Sequence, residues 1–119
     1  MNSVRKVLLA FCISLLVCVS AFGASLSEIN ALASAKLYLS TQAFSYKGLI
    51  NQLVFEGYSR SEAEYAVKNC GADWNEQAAM KAKEYLEIMP MSRTKLIEQL
   101  VFEGFTKQQA SYGVKQAGY

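Results

Sequence analysis

Apolar side chains recur three and four residues apart along most of the chain, which is the periodicity of an amphipathic α-helix. One such stripe covers residues 28–41. A second begins after Asp73, which is suited to N-cap a helix, and ends before Pro90, which cannot extend one. The pattern therefore predicts two long helices with matching apolar faces.

A six-residue sequence, Gln-Leu-Val-Phe-Glu-Gly, occurs at residues 52–57 and again at residues 99–104. The flanking apolar positions match at the same offset of 47 residues (99 − 52), so the two copies align without a gap. A self-match at a period of about 20–50 residues indicates one structural module that is used twice.

Each copy also carries the start and stop signals of two shorter helices. Ser45 and Ser92 are good N-caps for the helix with the repeated sequence, and a glycine follows that helix in both copies. Ser59 and Thr106 are each followed three residues later by Glu or Gln, which forms a capping box. Each copy is thus predicted to contain a helix-turn-helix pair and one supporting helix.

We predict an all-α fold of two tandem three-helix repeats after an N-terminal signal peptide. The predicted boundaries are residues 1–23 for the signal peptide, 24–30 for a short linker, 31–73 for repeat 1 and 74–119 for repeat 2. Because a module of this size buries little surface alone, we expect the repeats to pack on each other, with Trp74 at the joint.

The first residues have the layout of a secretory signal peptide. Arg5 and Lys6 precede an apolar run at residues 7–19, and small residues follow it. This order predicts export, with cleavage after Gly23. The run is shorter than the roughly 20 apolar residues of a membrane-spanning helix, and an uncleaved anchor is the alternative.

The cysteines raise a second alternative for the N-terminus. Cys12 and Cys18 lie in the apolar run, so cleavage leaves Cys70 alone and allows no internal disulfide. Cys18 is a candidate for lipid attachment because Leu15 precedes it at the spacing of a lipoprotein signal, although Val17 stands where a small residue is usual. Cys70 is predicted to be a small buried side chain.

The charge and composition of the chain argue against several classes of function. The chain has 12 basic and 10 acidic residues, and removal of residues 1–23 takes away two basic residues, which leaves a net charge of zero. Non-specific DNA binding needs an excess of Lys and Arg, so no nucleic-acid partner is predicted. The chain has no histidine, the commonest general base and metal ligand, and we predict no enzyme, cofactor or metal site.

Four polar residues of the repeated sequence are candidate contacts to a partner protein. In each copy the two lie four residues apart, on one side of a helix beside its apolar face. They are Gln52, Glu56, Gln99 and Glu103. The alternative is that the two glutamates support a neighbouring helix, through Lys36 in the first copy and Lys83 in the second. Aromatic pairs are predicted to lie in the core: Phe55 and Phe102, Tyr58 and Phe105, Tyr65 and Tyr112.

The two copies closely resemble the Ltp-like repeat, the helix-turn-helix region of phage and prophage encoded host cell surface-exposed lipoproteins. The resemblance rests on the matching segments 44–57 and 92–104 and on the Asp73-Trp74 connector, and it extends over residues 31–119. It implies a location outside the bacterial membrane and exclusion of superinfecting phage, through a block of DNA injection and contact with the phage tape measure protein.

We therefore predict an exported protein that acts by binding another protein and that is secreted, periplasmic or attached to the cell surface. Contact with the membrane is expected only through the signal segment or a lipid anchor. The alternative function is a structural or adaptor module of the cell envelope with no phage role.

Overall fold

A computed structural model describes residues 23–119, in which six α-helices and no strand are found. The helices are α1 (Leu26–Thr41), α2 (Tyr46–Phe55), α3 (Arg60–Asn69), α4 (Trp74–Ile88), α5 (Arg93–Phe102) and α6 (Lys107–Gln116). The all-α prediction is confirmed. No helix in this part of the chain is long and apolar enough to span a membrane.

The helices form two three-helix units, α1–α3 and α4–α6. In each unit the long first helix packs mainly on the third, and the second helix packs on the third across a short turn. Each unit has a core of fully buried leucine, valine and alanine side chains. The central members are Leu49, Leu53, Ala63 and Val67 in the first unit, and Leu96, Leu100, Ala110 and Val114 in the second. The duplicated pattern thus produces two equivalent cores.

The caps form where the sequence predicts them. The hydroxyl of Ser45 accepts a hydrogen bond from a backbone N–H of α2, and that of Ser92 does the same for α5. Ser59 and Thr106 form complete capping boxes. Asp73 caps α4 through the backbone N–H groups of its first turn. These bonds satisfy amides that a helix start leaves without partners, and so they fix the helix boundaries.

The N-terminal part of the chain is only partly described. The predicted signal peptide, including Cys18, lies outside the described residues except for Gly23. The first helix begins at Leu26 after a capping box formed by Ser25 and Glu28. Residues 26–30, which the sequence suggested as a linker, are therefore the first residues of α1.

The two units meet through hydrogen bonds between the α1–α2 turn and the second unit. The backbone N–H of Phe44 donates to Gln77 Oε1 over 2.9 Å, and Gln77 is buried on α4. The Ser45 hydroxyl donates to the carbonyl oxygen of Glu103 over 2.6 Å. Ser45 is itself buried, so a single side chain caps α2 and also binds the end of α5. The helix–helix packing of the described residues lies mainly within each unit and the two cores are separate, so the expected packing of the repeats on each other is limited to this joint.

Trp74 has a different role from the predicted plug between the units. It packs against the core of the first unit, and its ring lies edge-on to Tyr46 with 5.4 Å between the ring centroids. As the first residue of α4, Trp74 follows directly after the first unit and can fold back on it. The joint is instead made by the turn at Ser45.

The prediction that the repeated aromatic pairs are core residues is wrong for the first pair. Phe55 and Phe102 are both 86% exposed. Successive helical residues are turned by about 100°, which places Phe55 almost opposite the buried Leu49 and Leu53. Phe105 is buried, whereas Tyr58 and Tyr65 are half-buried and Tyr112 is exposed. Cys70, predicted to be buried, is also half-buried.

Candidate protein-binding surface

The four candidate contact residues belong to two equivalent hydrogen-bond clusters. In the second unit, the Tyr85 hydroxyl donates to Glu103 Oε1, and Gln99 Nε2 donates to the Tyr85 oxygen over 3.1 Å. In the first unit, Tyr38 donates to Glu56 and accepts from Gln52 over 3.4 Å. Each cluster ties the long helix of its unit to the helix with the repeated sequence.

The partners of the two glutamates are therefore tyrosines and not the predicted lysines. Lys36 and Lys83 are exposed, and neither forms an ion pair among the described residues. On a helix, successive side chains point about 100° apart, so a lysine two positions before a tyrosine points to the other side. Tyr38 contacts Glu56 instead, and Tyr85 contacts Glu103. Both glutamates thus accept a hydrogen bond from a side chain of a neighbouring helix, as the alternative interpretation predicted.

The two clusters differ in their exposure to water. Glu56 is exposed, whereas Glu103 is half-buried and its Oε2 atom is buried without a hydrogen-bond partner among the described residues. Burial, and then the hydrogen bond to Glu103, raises the pKa of Tyr85 above its usual value. Both effects favour the protonated hydroxyl, which is the form that donates to Glu103.

Tyr85→Phe is expected to lower the free energy of unfolding by about 1–2 kcal/mol, because Glu103 loses its hydroxyl donor in a place that water reaches poorly. Tyr38→Phe is the matched control in the first unit. Tyr38→Phe should lower the free energy of unfolding by only about 0.5 kcal/mol, since the exposed Glu56 can bond to water. Urea denaturation followed by circular dichroism measures both, and equal losses would show that the burial of Glu103 has no energetic effect.

A small cavity of about 200 Å³ lies where the two units meet. It is lined by residues 42–45 and by Gly48, Lys81 and Glu103. Lys81 is paired with Glu84, with 3.5 Å between the charged atoms. Among residues 23–119, no three His, Cys, Asp or Glu side chains come together as metal ligands. Lys81 and the Oε1 atom of Glu103 are thus engaged in contacts within the protein.

A second, more apolar depression of about 390 Å³ lies on the outer side of α5. Ile97, Val101 and Phe102 form its apolar surface, and Glu98 and Lys107 lie at its edge. We call these five residues the α5 groove. Val101 is 43% exposed and Phe102 is 86% exposed. Phe102 was predicted to lie in the core, and its helical position relative to Leu96 and Leu100 is the signal that would have placed it outside.

Comparison with known proteins assigns the chain to a family. Residues 28–70 and residues 73–116 each match the family described as host cell surface-exposed lipoprotein. The two segments correspond to the two helical units and together make up well over half of the chain. The chain belongs to this family. Membership confirms the resemblance to Ltp-like repeats and the prediction of an exported protein associated with the cell surface.

One solved structure supports the same assignment. The chain is similar to Ltp, a superinfection exclusion protein from the Streptococcus thermophilus temperate phage TP-J34. The two sequences are 40% identical, and the match covers 77% of this chain and 96% of the Ltp chain with a TM-score of 0.73. No curated protein shows a significant match to the chain. The similarity therefore extends over almost the whole of that solved chain and includes both helical units.

Proposed function

We propose that this protein excludes superinfecting phage from the cell that carries it, by binding a phage protein at the cell surface and blocking DNA injection. The proposed partner is the tape measure protein of the incoming phage. The observation that carries the proposal is the 40% identity with Ltp, a superinfection exclusion protein, over 96% of the Ltp chain.

The physical properties of the chain support binding as the mode of action. Outside residues 1–23 the acidic and basic residues are equal in number, which gives no electrostatic drive toward DNA. The absence of histidine from the sequence also favours binding over catalysis. The exposed apolar side chains of the α5 groove are typical of a site where another protein docks.

Expression of the full chain in a phage-sensitive host tests the proposal. Adsorption is measured as the loss of free phage, and DNA injection as the amount of phage DNA inside the cells after external DNA is digested. We expect normal adsorption and at least a tenfold reduction in injected DNA, compared with cells that carry the empty vector. Unchanged injection by every phage that infects the host would contradict the proposal and favour the alternative of an envelope adaptor.

The choice of partner has a separate genetic test. Phage mutants that overcome the exclusion are selected on the expressing host, and their genomes are sequenced. We expect the escape substitutions to lie in the tape measure gene, because altered contacts there would weaken binding. Substitutions confined to adsorption genes would show that a different phage protein is recognised.

The N-terminus is proposed to be processed at one of the two cleavage sites that the sequence offers. Lipid on Cys18 would keep the protein at the membrane, whereas cleavage after Gly23 would release it. The mass of the purified protein distinguishes the two. A Cys18→Ala variant should lose exclusion only if the lipid is present, because a released protein does not need that cysteine.

A further inference from the structure

The α5 groove exposes more apolar surface than the same place on the first unit. Ile50, which corresponds to Ile97, is only 5% exposed, and Val54 is half-buried where Val101 is exposed. Phe102 is not part of the core of the second unit, which closes around Leu96 and Leu100. The groove is thus apolar surface that the fold leaves open to water among the described residues.

The shape of the groove indicates a helical occupant. Ile97 and Val101 lie one helical turn apart, and so do Glu98 and Phe102, which makes a strip along α5. No strand is present among residues 23–119, so an added β-strand would find no sheet edge to pair with. An amphipathic helix can instead lay apolar residues spaced three and four apart into such a strip.

The charges at the edge of the groove specify the polar side of that helix. Glu98 is paired with Lys95, with 3.1 Å between the charged atoms. Lys107 is exposed and has no ion-pair partner within the described part of the chain. The first unit also has a cation at this position, Arg60, five residues after the exposed Phe55. An acidic residue beside the apolar stripe of a partner would therefore meet an available positive charge.

We propose that the α5 groove binds an amphipathic helix of another protein, with apolar side chains against Ile97, Val101 and Phe102 and a carboxylate against Lys107. The idea that the partner is a protein rests on the proposed function. A membrane surface is less suited to this site, because lipid-binding helices have a strongly basic polar face and the charge of residues 24–119 sums to zero.

Two synthetic helical peptides with the same leucine stripe are suitable probes, one flanked by glutamates and the other by lysines. Binding to the full chain purified from expressing cells is measured by fluorescence anisotropy. We expect the glutamate-flanked peptide to bind at least tenfold more tightly than the lysine-flanked one. Lys107→Glu should reverse this preference, because it changes the sign of the charge at the edge of the groove.

Phe102→Ala should weaken binding of the glutamate-flanked peptide at least tenfold, since exposed aromatic anchors contribute strongly at interfaces. Phe55→Ala is the matched control, because it removes an equally exposed phenylalanine from the same repeated sequence. Its effect should be less than threefold. Both residues are 86% exposed, so both variants should fold, and circular dichroism is the check of their folding.

Several results would overturn the inference. They are the absence of binding by both peptides, equal losses in the Phe55 and Phe102 variants, and an unchanged charge preference in Lys107→Glu. A dimer by light scattering that Phe102→Ala dissociates would assign the groove to a second copy of the chain. Sedimentation with phosphatidylglycerol vesicles that depends on Phe102, without an effect on the peptides, would assign it to the membrane.

The phage assay separates this inference from the proposed function. If the peptides behave as expected and phage DNA injection is unchanged by the wild-type chain, the groove is a protein-binding site and exclusion is refuted. If the Phe102 and Lys107 variants bind the peptides as the wild type does and also exclude phage fully, the groove inference is refuted and exclusion remains.

Discussion

Gly104→Ala is expected to lower the free energy of unfolding by about 2–4 kcal/mol, the largest effect predicted for a single residue of this protein. Gly104 follows α5 with a φ of 108°, where an L side chain is strained. A methyl group there would also lie 2.7 Å from Ser45 Oγ and 3.0 Å from Lys47 Cβ. Ser45 would have to move and lose its bonds to Gly48 and Glu103.

Gly57→Ala provides a closely matched control for the contact between the units. Gly57 has a φ of 106° at the same position of the first unit, and a methyl group there would meet no atom within 4 Å. Gly57→Ala should therefore lower the free energy of unfolding only by the cost of backbone strain, about 1–2 kcal/mol. Urea denaturation of both variants measures the difference, and equal losses would mean that the Ser45 contact adds nothing to stability.

Gly113→Ala is expected to cost about 1–3 kcal/mol, although alanine is ordinarily the better helix former. Gly113 lies in α6 where this helix crosses α4, and an added methyl group would lie 2.6 Å from the carbonyl carbon of Ala78. Because the obstacle is backbone, it can be relieved only if the two helices move apart. That movement would loosen the core around Val114.

The first unit has an alanine at the position that corresponds to Gly113. Ala66 is the counterpart of Gly113 (113 − 47) and is fully buried, so the crossing of α1 and α3 accommodates a methyl group. Ala66→Gly should also destabilise, by about 1 kcal/mol from helix propensity and by a further amount from the lost packing. A rise in the thermal midpoint of Gly113→Ala would contradict the close crossing inferred for α4 and α6.

The candidate surface could be predicted from the sequence only in part. The periodicity of Gln52 and Glu56 correctly places them at the border of a helix, but it gives no information about which side chain reaches them. Tyr38 does so from α1, a contact that depends on how the two helices pack. The exposure of Phe102 follows from its helical position once Leu96 and Leu100 are known to be buried. Whether the α5 groove beside Phe102 is exposed to water depends on how the surrounding helices pack.

The sequence by itself determined the helices, their caps and the number of modules, because periodicity, N-cap hydroxyls and glycine stops act within a few residues. Tertiary structure decided how two modules with the same pattern differ. Only the packed units bring Ser45 to the end of α5, place Trp74 on the first core and force glycine at position 113. These contacts join residues far apart in the chain, and their geometry is set by helix packing rather than by local preference.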